Sequence, residues 1–114
     1  MELDYLIVIP ARFKSSRFEG KPLADINGKS MIERVWNKCL SVAPENQIIV
    51  ATDDTRISSH CKLKNINTIM TSKNCLTGSD RLAEVSKKIK ASFYVNVQGD
   101  EPLINPKDIK KIIN

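Results

Sequence analysis

Histidine, cysteine and aromatic residues are scarce in this sequence of 114 residues, and their scarcity argues against several kinds of site. Three scattered cysteines are too few for a structural zinc site or a disulfide framework, and their odd number favours a reducing, cytoplasmic environment. No pattern pairs the single histidine, His60, with a nucleophile or a metal ligand, so we expect it on the surface or half-buried. Aromatic residues make up 5% of the chain, and none of the predicted strands has the aromatic-rich pattern of an RNA-binding sheet.

Two glycine-rich phosphate-binding motifs and long apolar runs are also missing. Neither G-x-G-x-x-G nor G-x-x-x-x-G-K-[ST] occurs, which argues against a dinucleotide site and a P-loop. No apolar stretch approaches the length of a membrane span, so we expect no membrane partner. The net charge of +5 raises the question of a nucleic-acid ligand. The excess of positive charge is partly local, however, and we expect no nucleic-acid partner.

Strand and helix patterns alternate along a chain that is long enough for one domain. Apolar runs predict strands at 6–10, 47–51, 67–70 and 92–97. Helical periodicity and capping residues predict helices at about 30–42, from an N-cap at 52–54 to about 63, at 78–89, and from 105–106 onward. This order indicates an α/β fold, namely a Rossmann-like, doubly wound parallel sheet with strand order about 3-2-1-4 and helices on both faces.

The two most informative segments follow the first and the fourth predicted strand. The first is a basic loop at 11–22, which carries four arginine or lysine side chains with two serines and a glycine. Such closely spaced cations repel one another unless an anion compensates, and both residue types bind phosphate oxygens. The second segment, 98–102, places Asp100 on a glycine-assisted turn, where a carboxylate is suited to a hard divalent cation. Each motif by itself also fits an ordinary surface loop.

The predicted strand order places these two segments at one crevice. In the order 3-2-1-4, the first and fourth strands are neighbours at the point where the order reverses, and the loops after them diverge. The basic loop and the acidic turn would then face each other. A cationic wall opposite a metal-binding carboxylate suits a nucleoside triphosphate with Mg²⁺. The helix start at Gly78 would add backbone N–H donors if its loop reaches across from the third strand.

At these motifs the chain resembles the CMP-Kdo synthetases, the cytidylyltransferases that activate 3-deoxy-manno-octulosonate (Kdo). The matching stretches occur in the family's order and spacing across nearly the whole chain, at 9–13, 16–17, 20–23, 26–29, 31–32, 50–54, 78–84 and 96–102. The resemblance implies a nucleotidyltransferase that transfers CMP from CTP to the anomeric hydroxyl of Kdo, releasing pyrophosphate, for lipopolysaccharide synthesis. It also implies Mg²⁺ as the cofactor and a homodimer for the full-length protein.

The resemblance further implies roles for individual residues. Arg12 and Lys21 fall on family positions that hold the triphosphate, and Asp100 falls on a Mg²⁺-ligand position, so these three are the candidate catalytic residues. Gln98 matches a position that contacts the nucleotide or the sugar. The other candidate nucleotide-binding residues lie on the basic loop and around the start of the third helix: Ala11, Ser16, Arg17, Thr77, Gly78, Ser79 and Arg81.

Three positions depart from the family pattern. Glu19 replaces a usual proline, Asn74 a frequent aspartate and Cys75 a frequent histidine. We also expect residues 1–114 to be the N-terminal nucleotide-binding part of a truncated domain, inactive by itself. In the family, the second half supplies another Mg²⁺ aspartate, most of the sugar contacts and much of the dimer interface.

Two alternatives stay open from the sequence. One is a cytidylyltransferase for another sugar acid, such as amino-Kdo or a sialate, because sugar choice would be set in the absent half. The other is a non-catalytic nucleotide-binding module, which would share the same basic loop.

Overall fold

The computed structural model describes residues 3–13, 20–73, 75, 78–98 and 105–113. Its strands are β1 (Leu3–Pro10), β2 (Asp25–Ile26), β3 (Lys29–Ser30), β4 (Ile48–Thr52), β5 (Thr68–Met70) and β6 (Ala91–Asn96). Its α-helices are α1 (Met31–Leu40), α2 (Thr55–Leu63), α3 (Gly78–Lys88) and α4 (Pro106–Ile113), and two short 3₁₀ helices cover Lys21–Leu23 and Glu45–Gln47.

Four parallel strands form the main sheet in the order β5-β4-β1-β6. In chain order these are the four strands predicted from the sequence, so the predicted order 3-2-1-4 is confirmed. Ile9 lies opposite Val50 of β4, and Val8 lies opposite Asn96 of β6. Because all four strands run in one direction, the segments that follow them emerge at the same edge of the sheet.

Helices cover both faces of this sheet, as predicted. Alternate residues of a strand point to opposite faces. Ile7 and Ile9 of β1 therefore belong to one cluster, which contains buried residues of α1, α2 and α4. Leu6 and Val8 belong to a second cluster with Val85 of α3 on the other face. This two-sided burial explains why the β1 segment is a continuous apolar run and not an alternating one.

Polar side chains define where the first helix begins. Ser30 is the N-cap of α1, and its hydroxyl accepts the Glu33 N–H at 3.2 Å. Nε2 of His60, on α2, lies 2.7 Å from the same hydroxyl. His60 is half-buried, as expected, and it links the beginning of α1 to α2.

A small hairpin of β2 and β3 precedes α1, and the sequence did not predict it. Asn27 and Gly28 form its turn, with φ values of +53° and +91°. These positive angles suit the tight turns of two-residue hairpins. Each strand has only two residues, which is too short to produce a recognisable alternation.

None of the helices in the described ranges combines the length and the apolar character that a membrane span requires.

The hydroxyl of Tyr94 connects β6 to the end of α3. It donates to the Ile89 carbonyl at 2.6 Å and accepts the Ala91 N–H at 3.0 Å. The Ile89 carbonyl lies just beyond α3, and the Ala91 N–H lies at the first residue of β6. One side chain therefore satisfies backbone groups on both sides of the turn between helix and strand.

We expect Tyr94→Phe to lower the free energy of unfolding by about 1–2 kcal/mol, because it leaves both backbone groups without their partner. Urea denaturation of the full-length protein would measure the change. Tyr5→Phe is the matched control, because within the described residues the Tyr5 hydroxyl makes no hydrogen bond and its ring stacks on Phe93. Equal losses in both variants would contradict the role assigned to the Tyr94 hydroxyl.

Candidate functional site

A cavity of about 680 Å³ opens at the carboxyl ends of β1, β4 and β5. Its walls come from residues at or just beyond the ends of these strands and from the first turns of α2 and α3. In open α/β sheets, ligands bind outside the carboxyl ends of the strands, so the cavity lies where the fold favours a site. It extends from β1 toward β5, whereas the predicted crevice lay between β1 and β6.

Charged side chains of both signs line this cavity, and the cations outnumber the acids. The cations are Arg12, Arg56, Lys73 and Arg81, and the acids are Asp53 and Asp54. Guanidinium groups match the geometry of phosphate and carboxylate oxygens through their paired N–H donors. The charge distribution therefore suits an anionic ligand of the size of a nucleotide.

The acidic pair lies where β4 passes into α2. Asp54 is the N-cap of α2, and its carboxylate accepts the Arg56 backbone N–H at 2.8 Å. It also accepts two hydrogen bonds from the Arg56 guanidinium, at 2.7 and 3.1 Å. The side-chain hydrogen bond from Arg56 is the main reason that the pKa of Asp54 lies below its ordinary value. Asp54 therefore begins the helix and also fixes a guanidinium at the cavity.

Arg81 reaches the cavity from the first turn of α3, and its side chain is fully buried. Nη1 donates to the Thr71 hydroxyl at 2.5 Å, and Nη2 lies 3.8 Å from the Asp53 carboxylate. The longer separation is an ion pair without a hydrogen bond. Among the residues that the structure describes, Nε and Nη2 of Arg81 have no hydrogen-bond partner. A buried guanidinium with unused donors favours a polar ligand beside it, since unsatisfied buried donors are costly.

Glu84 on α3 fixes the segment that follows β5. Both of its carboxylate oxygens accept the Ser72 N–H, at 3.0 and 2.9 Å, and one lies 3.3 Å from Nζ of Lys88. The backbone hydrogen bond from Ser72 is the largest cause that lowers the pKa of Glu84. Cys75 Sγ lies 3.6 Å from Glu84, and desolvation raises the pKa of this thiol. The cavity wall between Ser72 and Cys75 is therefore held by α3.

A backbone hydrogen bond joins Phe13 and Gly20, which lie near the two ends of the basic loop. The Gly20 N–H donates to the Phe13 carbonyl at 2.5 Å. Gly20 has a φ of +72° and directly precedes the 3₁₀ helix that begins at Lys21. A methyl group on Gly20 would lie 2.9 Å from the Phe13 ring. Glycine is needed here both for the backbone angle and for the close approach of the ring.

The structure brings two of the sequence-predicted residues together in the cavity, namely Arg12 and Arg81. Ala11 lies beside them, is buried, and donates its N–H to the Ala51 carbonyl of β4 at 2.9 Å. Gly78 and Ser79 are the first two residues of α3. They belong to the helix that supplies Arg81, although neither is among the cavity-lining residues.

Lys21 and Gln98 lie outside the walls of this cavity. Lys21 begins the 3₁₀ helix after Gly20, and Gln98 is exposed two residues after β6. Four predicted site residues lie outside the described ranges: Ser16, Arg17, Thr77 and Asp100. Glu19 and Asn74, two departures from the family pattern, also lie outside them. The proposal that the basic loop faces Asp100 therefore stays a prediction.

Several cavity residues were not among the predicted site residues, namely Phe13, Asp53, Asp54, Arg56 and Lys73. From the sequence, the stretch 50–54 matches the family pattern, and Asp53 and Asp54 are predicted only as part of a helix cap. The sequence did contain an indication for Arg56. A cation in the first turn of a helix is unfavourable to the helix dipole, so its position suggests a role other than helix stability. Lys73 carried no local pattern that would separate it from other surface lysines.

The described ranges contain no group of three or more histidine, cysteine, aspartate or glutamate side chains that could hold a metal ion. The two carboxylates of the cavity are already engaged by cations, Asp53 by Arg81 and Asp54 by Arg56. Asp100 has a carboxylate, and carboxylate oxygens are the ligands that Mg²⁺ prefers in proteins.

Comparison with known proteins identifies the family of this chain. The cytidylyltransferase family profile matches residues 6–114. This chain belongs to the cytidylyltransferase family. The 3-deoxy-manno-octulosonate cytidylyltransferase of Escherichia coli is 46% identical over 108 residues, which make up 95% of this chain and 44% of the relative. The Zea mays protein of the same name is 46% identical over 108 residues, with 93% of this chain and 36% of the relative covered. The resemblance inferred from the motifs is confirmed.

Solved structures support the fold. The structure of CMP:2-keto-3-deoxy-manno-octonic acid synthetase complexed with CTP matches 96% of this chain with a TM-score of 0.92 and 45% identity. A Mycobacterium tuberculosis H37Rv protein solved with manganese matches 96% of the chain with a TM-score of 0.69 and 17% identity, so it shares the fold. This chain spans 46% of the first structure and 58% of the second. It also spans less than half of the length of the curated relatives above.

We expect Gly20→Ala to destabilise the protein by more than Gly28→Ala. Both substitutions place a side chain at positive φ, which costs about 1 kcal/mol or more. The Gly20 methyl group would also meet the Phe13 ring at 2.9 Å, whereas a methyl group at Gly28 would lie in open space. Chemical denaturation of both variants would measure the difference. Equal destabilisation would show that the Phe13 contact imposes no constraint.

Proposed function

We propose that the full-length protein transfers CMP from CTP to the anomeric hydroxyl of Kdo and releases pyrophosphate. The observation that carries the proposal is the cationic cavity at the carboxyl edge of the sheet, in a chain 45% identical to a synthetase solved with CTP. The relatives named for this reaction support the choice of substrate. Because the chain spans less than half of those relatives, the activity is proposed for the full-length protein.

The proposed reaction is a substitution at the α-phosphorus of CTP. The anomeric oxygen of Kdo forms a bond to this phosphorus and loses its proton, while the bond to the pyrophosphate oxygen breaks. Transfers of this kind depend mainly on positioning and on neutralising charge. Arg12 and Lys21 would hold the triphosphate and stabilise the charge that develops on the departing pyrophosphate. Ser16 and Arg17 would belong to the same loop.

The base and the ribose would lie toward α3. Thr77, Gly78, Ser79 and Arg81 are the candidates there, and Gln98 is the candidate at the β6 side. Within the described ranges, Nε and Nη2 of Arg81 have no hydrogen-bond partner, which supports a polar ligand group next to this helix. Cys75, which stands where the family often has histidine, lines the same cavity.

We propose Mg²⁺ as the metal and Asp100 as one of its ligands. A bound divalent cation would neutralise phosphate charge during transfer. The oxygen chemistry of Asp100 and the manganese-bound structure of a protein with the same fold support a divalent cation in general.

The assembly and the compartment are also proposals. The family resemblance supports a homodimer of the full-length protein. A reducing compartment such as the cytoplasm is supported by the state of the cysteines, because Cys39, Cys61 and Cys75 are free thiols.

CTP with Mg²⁺ is expected to raise the melting temperature of the full-length protein more than ATP, GTP or UTP with Mg²⁺. A ligand at 100 times its Kd stabilises the native state by about 2.7 kcal/mol. Thermal denaturation with each nucleotide at the same concentration would measure the shifts. Equal shifts with all four nucleotides would contradict cytidine selectivity, and no shift with any of them would contradict nucleotide binding.

Asp100→Ala is expected to abolish turnover in the full-length protein, and Lys21→Ala to lower it by about 10²- to 10³-fold, the usual scale for losing one electrostatic contact to a transition state. Pyrophosphate release from CTP and Kdo would measure both rates. Asp4→Ala and Lys62→Ala are matched controls, because these exposed residues lie at the opposite end of β1 and at the end of α2. Near-normal turnover in the first two variants would overturn the site assignment.

A further inference from the structure

Phe13 occupies the junction between the two predicted triphosphate-binding residues. It directly follows Arg12 in the chain, and its carbonyl accepts the N–H of Gly20, the residue before Lys21. Its ring lies against Gly20, with Cε2 2.9 Å from where a methyl group of that residue would be. The ring is half-buried and also packs on the core cluster beneath the sheet edge. The position of Phe13 therefore affects both ends of the basic loop at once.

The guanidinium of Arg56 covers the ring of Phe13. Its Cζ atom lies 3.2 Å from the ring centroid, which is a close cation–π contact. The guanidinium donates two hydrogen bonds to the Asp54 carboxylate, which hold it in place, and Asp54 is itself fixed as the N-cap of α2. A continuous chain of contacts therefore connects α2 to the basic loop through Asp54, Arg56 and Phe13. We call these three residues the clamp.

The stability of α2 does not account for this clamp. Arg56 lies in the first turn of the helix, where the dipole disfavours a positive charge. The side chain of Arg56 is 57% exposed, and an exposed ion pair contributes little to the stability of a fold. What the arrangement does achieve is a fixed orientation of a planar cation over a ring at the rim of the cavity.

We propose that Arg56 is a positioning residue for the nucleotide, acting through Phe13 to hold Arg12 and Lys21 at a fixed separation. The inference rests on the proposed function, because it assigns to Arg56 the preorganisation of the triphosphate-binding loop. With the ring in contact with both Arg56 and Gly20, residues 13 and 20 stay together before the ligand arrives. Less conformational freedom then has to be lost when the phosphates bind.

The test compares CTP binding by the full-length protein and three variants: Arg56→Gln, Phe13→Leu and the double variant. Isothermal titration with CTP and Mg²⁺ would measure the affinities. We expect each single substitution to weaken binding by about fivefold, the scale of one cation–π interaction. The double variant should be no weaker than the weaker single variant, because both changes remove the same contact. Phe13→Tyr, which keeps the aromatic ring, should bind CTP like the wild type.

Controls separate positioning from the loss of charge or of stability. Lys62→Gln removes one positive charge from the other end of the same helix and should leave the affinity for CTP unchanged. The melting temperature of Arg56→Gln without nucleotide should fall by no more than a few degrees, since one exposed cation–π contact contributes about 1 kcal/mol or less to stability. A lower melting temperature with unchanged CTP affinity would show a merely structural role.

Three other outcomes would overturn the inference. Wild-type affinity in Arg56→Gln would show that the guanidinium does not position the loop. Additive losses in the double variant would show that Arg56 and Phe13 act independently, with Arg56 contacting the ligand through its charge alone. Failure of the wild type to bind CTP would overturn the proposed function and this inference with it, whereas the first two results leave the proposed function standing.

Discussion

The pairing of β1 with a strand on each side is the constraint on which the site depends. β1 forms parallel ladders with β4 and β6, and helices bury both of its faces. A register slip of one residue would exchange the two faces and move Ile7 and Ile9 out of their cluster. The core therefore fixes where β1 ends, and Arg12 follows only two residues later. The location of this cation at the cavity is a consequence of apolar packing beneath it.

Much of this architecture follows from local patterns in the sequence. Continuous apolar runs identified the four strands of the sheet, and capping residues located the beginnings of helices such as Asp54 for α2 and Pro106 for α4. These features are determined by short-range chemistry and by burial, which produce recognisable patterns of apolar and polar residues in the sequence. The hairpin of β2 and β3 produced no such pattern, because its strands have two residues each.

The candidate site was predicted only in part. Arg12 and Arg81 were found through the family motifs, but burial of Arg81 and its ion pair with Asp53 depend on how α3 packs across the sheet. The contact between Arg56 and Phe13 joins residues 43 positions apart and depends on the side-chain direction of each. Pairings of this kind are set by tertiary structure, so no periodicity or spacing in a single sequence could have shown them.

The guanidinium groups at the cavity have a consequence for its response to acidity. Arginine keeps its proton at any pH at which a protein of this kind stays folded. Three of the four cations that line the cavity are of this residue type, namely Arg12, Arg56 and Arg81. A phosphate ester, in contrast, changes its own charge near neutrality. A phosphate held here would therefore carry its own titration into the complex.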